Sequence, residues 1–233
     1  MSNAAFDVLR KVTTATITTM LLKKGIRRCW MNGPKPLVLG GERVIGPAFT
    51  LRFVPVREDL ATPESWAHPI STRAAIEDMP EGAIAVADAM GTTGAGIFGD
   101  ILCARMRKRN VAALVTDGSL RDRAGVLMSA LPVWCAGIAA PASVNGLTFV
   151  GWQQPVGCGG CAIFPGDVIV ADDDGAVVIP QNLLEFVAHE GAEHELYESW
   201  VFSEVEKGVK LPGLYPPNDE AKARYATWRK SRS

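Results

Sequence analysis

Residues 83–122 read AIAVADAMGTTGAGIFGDILCARMRKRNVAALVTDGSLRD, and the fold follows from this stretch. The run AIAVAD (83–88) is short, apolar and closed by an aspartate, which suits a buried strand. A glycine-rich loop (91–99) follows, then helical spacing over 100–109, then a second apolar run, VAALVTD, over 111–117. Strand, loop, helix and strand in that order predict a βαβ unit with a parallel pair. The loops after both strands of such a unit emerge at one sheet edge. The start of helix 100–109 and the segment 118–122 are therefore predicted to meet there.

Working outward, RVIGPAFTLRFVPV (43–56) is β-rich, with Pro47 and Pro55 limiting which edges can pair. Apolar residues at helical spacing over 5–24, stopped by Lys23-Lys24-Gly25, predict one N-terminal helix. A short helix is expected at 71–78. Downstream of Pro132 the pattern turns to short strands (PVWCAG, LTFVGW, CAIF) with no further βα repeat. PGDVIVADDDGAVVIP (165–180) predicts a hairpin turning at Asp173-Asp174-Gly175. A long helix is expected over 181–207, then the linker-like LPGLYPP and a basic helix from Asn218. The prediction is an α/β chain with a central β-layer, a helical N-terminus and a C-terminal helical arm: one domain over 1–210 and a tail over 211–233.

Composition narrows the function classes. The 233 residues are 48% hydrophobic, enough to exclude wholesale disorder, and 24 basic against 25 acidic residues leave a net charge of −1. That balance argues against nucleic acid and against a polybasic membrane surface as partners. Asp7 and Arg10 interrupt any signal-peptide core, and the five cysteines are odd in number and scattered, so a cytoplasmic protein with reduced thiols is expected.

Two constellations carry chemistry. Gly94-Ala95-Gly96-Ile97-Phe98-Gly99 is a GxGxxG between strand and helix, and Asp117 ends the next strand, as in a dinucleotide fingerprint. Asp100 stands against that reading, because a carboxylate in the first helical turn repels a pyrophosphate. A structural glycine turn, or a loop offering N–H groups to a small anion, are the alternatives. The second constellation is Asp100 with Arg121-Asp122: two carboxylates suit a hard divalent cation such as Mg²⁺ or Mn²⁺, and the guanidinium suits a substrate carboxylate. An ordinary surface ion pair beside a helix cap is the plain alternative.

Asp100, twenty residues, then Arg121-Asp122 resembles the D-x20-R-D signature of the RraA-like family, and the likeness extends through TDGSLRD (116–122) and PGDVIVADDDGAVVIP. That family includes class II pyruvate aldolases acting on 4-hydroxy-4-methyl-2-oxoglutarate and the regulator of RNase E activity. The resemblance implies a swivelling β/β/α-type fold assembled as a homotrimer or hexamer. It implies a metal-dependent lyase on small 2-oxo acids, working through a pyruvate enolate, with oxaloacetate decarboxylation as a second outcome. By the same resemblance Gly99, Asp100, Ile101 and Leu102 face the substrate, and Arg121 grips its carboxylate and the enolate oxygen. Asp122 ligates the metal directly and Asp100 holds it through water. The fuller signature has an acidic residue three positions after Asp122, where this chain has Gly125. Glu195 or Glu198 of a neighbouring subunit is a candidate to supply a further carboxylate. A non-catalytic ribonuclease regulator is the alternative function.

Four lesser features carry no chemistry on this reading. His189 and His194 are five apart, about 140° around a helix, and cannot share a metal. Cys158-Gly159-Gly160-Cys161 lacks a second pair, and Asp172-Asp173-Asp174 lacks the downstream ligands of a calcium loop. The basic end (Trp228, Arg229, Lys230, Arg232) reads as a solvated or subunit-contacting helix.

Overall fold

The computed structural model describes residues 4–231. The predicted unit is present: β3 (Ile84–Asp88) and β5 (Ala113–Thr116) pair in parallel, joined through α4 (Asp100–Lys108). Both strands are buried on two faces and alternate between two cores. Ile84, Val86, Ala113 and Val115 point to one core, and Ala85, Ala87 and Leu114 to the other. This period of two explains why the runs are apolar throughout.

The long strand β2 (Val44–Pro55) is the organising element. It pairs with β10 (Val168–Asp172) along its first residues, with β3 along its middle and with β9 (Leu147–Trp152) along its last residues. Pro47 and Pro55 lie near its ends, where the missing N–H costs least. β1 (Lys35–Pro36), β7 (Val133–Cys135), β5, β3, β2, β10 and β11 (Gly175–Ile179) follow one another in one curled, mostly buried sheet. Its two ends approach, because Trp30 bridges to Val177 and the Trp134 Nε1–H donates to the Asp172 carbonyl at 2.7 Å. The fold is thus mixed α/β with a nearly closed central sheet and helices at both ends of the chain.

One core packs α1 (Ala4–Leu9), α2 (Thr14–Lys23) and the start of α6 (Leu184–Glu206) on one sheet face. The other holds α3 (Thr72–Asp78), α4 and α5 (Arg123–Ser129) on the opposite face. A third, smaller cluster joins Trp200 of α6 to Leu214 and to Ala221 of α7 (Asp219–Lys230), with Tyr197, Tyr225 and Trp228 around it. Glu204 is buried there and ion-paired to Lys207 and Arg224.

Several expectations are corrected. The N-terminal helix is two helices, broken at Arg10–Thr13, because the Thr13 hydroxyl caps α2 and both its N–H and O–H donate to Glu195 Oε1 at 2.7 Å. A second crossover adds to the predicted one: α5 joins β5 to the parallel strand β7, so the βα pattern does repeat. CAIF contributes only an isolated bridge at Ile163. The glycine-rich loop contains a strand, β4 (Gly96–Phe98), which pairs with β6 (Ser119–Leu120), which in turn pairs with β8 (Gly137–Ile138). The long helix is preceded by a 3-10 turn at Gln181–Leu183. Among the described residues no helix is long and apolar enough to cross a membrane.

Candidate active site

The small β4–β6–β8 sheet brings the two halves of the signature together. It sets β4 beside β6, so Gly99-Asp100, just after β4, lies against Arg121-Asp122, just after β6. Glycines make the approach close enough. A Cβ placed on Gly96 would fall 2.8 Å from Arg121 Cβ, and one on Gly99 would fall 2.6 Å from Asp122 Oδ2. Neither glycine has a positive φ, so what matters is the missing side chain and not backbone freedom. Gly94, the first of the GxGxxG, faces open space.

Gly99 is the N-cap of α4 and offers no side chain, so the first-turn amides depend on other acceptors. Asp100 Oδ1 accepts one of them, the Ile101 N–H, at 2.7 Å. The Arg121 Nε–H donates to Asp122 Oδ2 at 3.1 Å, leaving the two terminal nitrogens of the guanidinium for a ligand. Asp122 precedes α5 with φ 54° and ψ 43°, the left-handed region, and its carboxylate does not cap the helix. A non-glycine residue there costs about 1–2 kcal/mol. A half-exposed ion pair returns about 0–1 kcal/mol. The pair therefore does not account for the strain, which is held by the surrounding close packing, as at many functional sites.

The site is open. Ile101 is 78% exposed, while Leu102 packs partly against the core. A cavity of about 390 Å³ lined by Leu37, Arg43, Leu127, Val133 and Trp134 contains none of the signature residues. One turn along α4, burial first and the Asp100 charge second push the Cys103 thiol up to about 12, so it is not a thiolate donor. Among the described residues no group of three or more His, Cys, Asp or Glu side chains is placed to hold a metal. Asp100 and Asp122 would offer a metal two carboxylates, oxygen donors only. That set fits Mg²⁺ or Mn²⁺, which take one or two protein carboxylates and complete their shell with water and substrate oxygens.

The other sequence candidates are engaged elsewhere. Glu195 holds the α1–α2 corner; Glu198 accepts from Tyr215 Oη at 2.7 Å and lies 3.1 Å from His194 Nε2. Asp117, the acidic residue of the dinucleotide fingerprint, is buried and accepts the backbone N–H groups of Ala89, Gly91 and Gly159 at 2.8–3.1 Å. It ties two loops together and has no oxygen left facing a ribose. Cys158 and Cys161 are buried free thiols directed at the Ala87 and Trp30 carbonyls. Asp173 and Asp174 form the two-residue turn of the β10–β11 hairpin, and Arg229 pairs with Glu193. Arg232 lies outside the described residues. The steric part played by Gly96, Gly99 and Gly125 escaped the sequence reading, although an isolated glycine in a helix such as α5 is a signal for close contact.

Comparisons with known proteins bear on the family and the fold. The profile of the RraA-like family, described as Aldolase/RraA, matches residues 14–178, which span the sheet and the whole signature. A protein from Halalkalibacterium halodurans named "Putative 4-hydroxy-4-methyl-2-oxoglutarate aldolase" is 33% identical over 162 residues, covering 67% of this chain and 71% of its own. Protein DlpA of Legionella pneumophila is 30% identical over 177 residues; the match takes in 76% of this chain but only 28% of DlpA. In structure, Streptomyces coelicolor RraAS2, described as an unusual member of the RNase ES inhibitor RraA protein family, superposes with a TM-score of 0.77. It is 35% identical over 86% of this chain and 96% of its own. With the D-x20-R-D residues assembled on that shared fold, the chain belongs to the RraA-like family.

Proposed function

We propose that this protein is a divalent-metal-dependent lyase acting on small 2-oxo acids through a pyruvate enolate, with 4-hydroxy-4-methyl-2-oxoglutarate-type cleavage and oxaloacetate decarboxylation as its two outcomes. The observation that carries the reading is the convergence of Asp100, Arg121 and Asp122 at two adjoining helix starts, with glycines clearing the space between them. The aldolase name of the relative from Halalkalibacterium halodurans supports it.

In this reading Asp122 would hold the metal directly, and Asp100 would hold it through water. Arg121 grips the substrate carboxylate with its two terminal nitrogens, a geometry that also places positive charge beside the oxygen of the forming enolate. When bound there, Mg²⁺ or Mn²⁺ would supply Lewis acidity toward the 2-keto oxygen. Breaking the C3–C4 bond leaves its electron pair on the pyruvyl fragment as the enolate, which becomes pyruvate by taking a proton from water at C3. The departing group is carbon dioxide from a C4 carboxylate, or a carbonyl compound whose C4 hydroxyl has given its proton to water. Gly99, Ile101 and Leu102 line the approach. No lysine adjoins the signature, in keeping with a route that needs no Schiff base.

Purified protein is expected to release pyruvate from oxaloacetate or a 4-hydroxy-2-oxo acid with Mg²⁺ or Mn²⁺ and to stop when a chelator is added. Arg121→Ala is expected to lower turnover by at least about 100-fold, about 2.7 kcal/mol of transition-state stabilisation. Absence of pyruvate from the whole substrate panel sinks the proposal.

A second reading, a non-catalytic regulator that binds a ribonuclease, is favoured by the likeness to RraAS2. Binding to a purified RNase E-type enzyme, undiminished in Arg121→Ala, is the result it requires.

A further inference from the structure

The fuller signature that the sequence resembles has an acidic residue where this chain has Gly125, and the structure shows what this chain does with that space. A Cβ placed on Gly125 would fall 2.5 Å from Asp100 Cβ, 2.6 Å from Asp100 Oδ2 and 3.0 Å from Asp100 Cγ. All three nearest atoms belong to Asp100. Gly125 lies inside α5 and has no positive φ, so its backbone does not require glycine. Alanine is a better helix former than glycine at an ordinary helical position. The contact with Asp100 is what excludes it.

The arrangement is reciprocal. Gly99, before α4, gives way to the carboxylate of Asp122 before α5; Gly125, in α5, gives way to the carboxylate of Asp100 in α4. Two helix starts are interleaved, each glycine receiving the aspartate of the other. We infer that Gly125 is a positioning residue: by lacking a side chain it seats Asp100 against α5, beside Arg121-Asp122, and the site works with two carboxylates arranged this way instead of a third at position 125.

The seating is a matter of contact alone, whereas its meaning for the metal rests on the function proposed above. A side chain at 125 pushes the first turn of α4 away from α5 and separates Asp100 from Asp122. Restoring the acidic residue of the family pattern is therefore expected to damage the site.

Two measurements on the full chain test this separately. In thermal unfolding, Gly125→Ala is expected to lower the midpoint in the wild-type background. In the Asp100→Gly background it is expected to raise it, since the clash is gone and only the helix propensity remains. In Mn²⁺ titrations followed by water-proton relaxation, Gly125→Ala and Gly125→Glu are each expected to weaken binding at least tenfold. The Asp100→Gly/Gly125→Ala pair should be no weaker than Asp100→Gly alone, because Gly125 acts through Asp100. The inference is overturned if Gly125→Ala has the same sign of effect in both backgrounds, if Gly125→Glu tightens Mn²⁺ binding, or if the two losses add. A wild-type protein that binds no Mn²⁺ removes the metal reading instead, and the thermal cycle still decides the seating. Should Gly125→Glu fail to fold, the alanine variants carry the whole test.

Discussion

Asp117 shows how one residue can look functional in sequence and be structural in space. It ends β5 at the sheet edge where ligands collect in α/β folds, yet its carboxylate is spent on three backbone N–H groups of the 89–91 and 157–159 loops. Asp117→Asn replaces acceptor capacity with a donor facing those N–H groups. A loss of about 2–4 kcal/mol is expected in denaturant unfolding, from broken charge-assisted bonds and a buried unsatisfied group. Burial, more than the bonds from Gly159, Ala89 and Gly91 can offset, holds the Asp117 carboxyl above its ordinary 3.8, and nearby Asp88 adds to the rise. The folded state then binds its proton more tightly than the unfolded state. Stability from this group is full below the ordinary value and falls as pH rises through the raised one. The gap between wild type and Asp117→Asn should therefore narrow with rising pH across that window, and a widening gap would contradict the assignment.

At the scale of elements, what was legible from the sequence depended on periodicity. β3, β5 and α4 show their period over enough residues to be read directly, and the strand ends then place Asp100 and Arg121-Asp122 at one edge. α5 was not legible, because seven residues, RAGVLMS, hold a glycine and begin without a side-chain cap. That same glycine is what packs it against α4, so the feature that hid the helix also builds the site. The break between α1 and α2 was hidden for another reason: its cause, Glu195, lies 182 residues away. Glu195→Ala is expected to cost about 1–3 kcal/mol by leaving the Thr13 N–H without its acceptor. Faster amide exchange confined to the first turn of α2 and the α1 corner is the accompanying sign. Burial raises the Glu195 carboxyl, but the bonds from Thr13 and Thr16 and the charge of Arg43 together outweigh it and hold it below its ordinary 4.5. Its contribution is present above that value and lost as pH falls through the lowered one, the reverse of Asp117. The wild-type advantage over Glu195→Ala should shrink in acid, and a growing advantage would refute the contact as drawn.

For the whole molecule the open site is the informative feature. Isolated exposed apolar side chains are ordinary, but Ile101 of α4 and Met128 of α5 stand on the two helices that begin at the signature. Met128 is 85% exposed and Ile101 78%, on two helices packed side by side. Apolar surface left in water costs roughly 25 cal/mol per Å², which burial against a second copy would recover. The homotrimer or hexamer implied by the family resemblance is one way to do so. Sedimentation is expected to give three or six times the 24.9 kDa chain mass. Met128→Asp, which places a charge at an exposed apolar position of α5, is expected to shift the protein toward single chains. If the neighbour helps to enclose the site, the same variant should raise the KM for the 2-oxo acid in step with the loss of assembly. A wild-type protein that sediments as one chain while releasing pyruvate at full rate would show that the site is complete within a single copy.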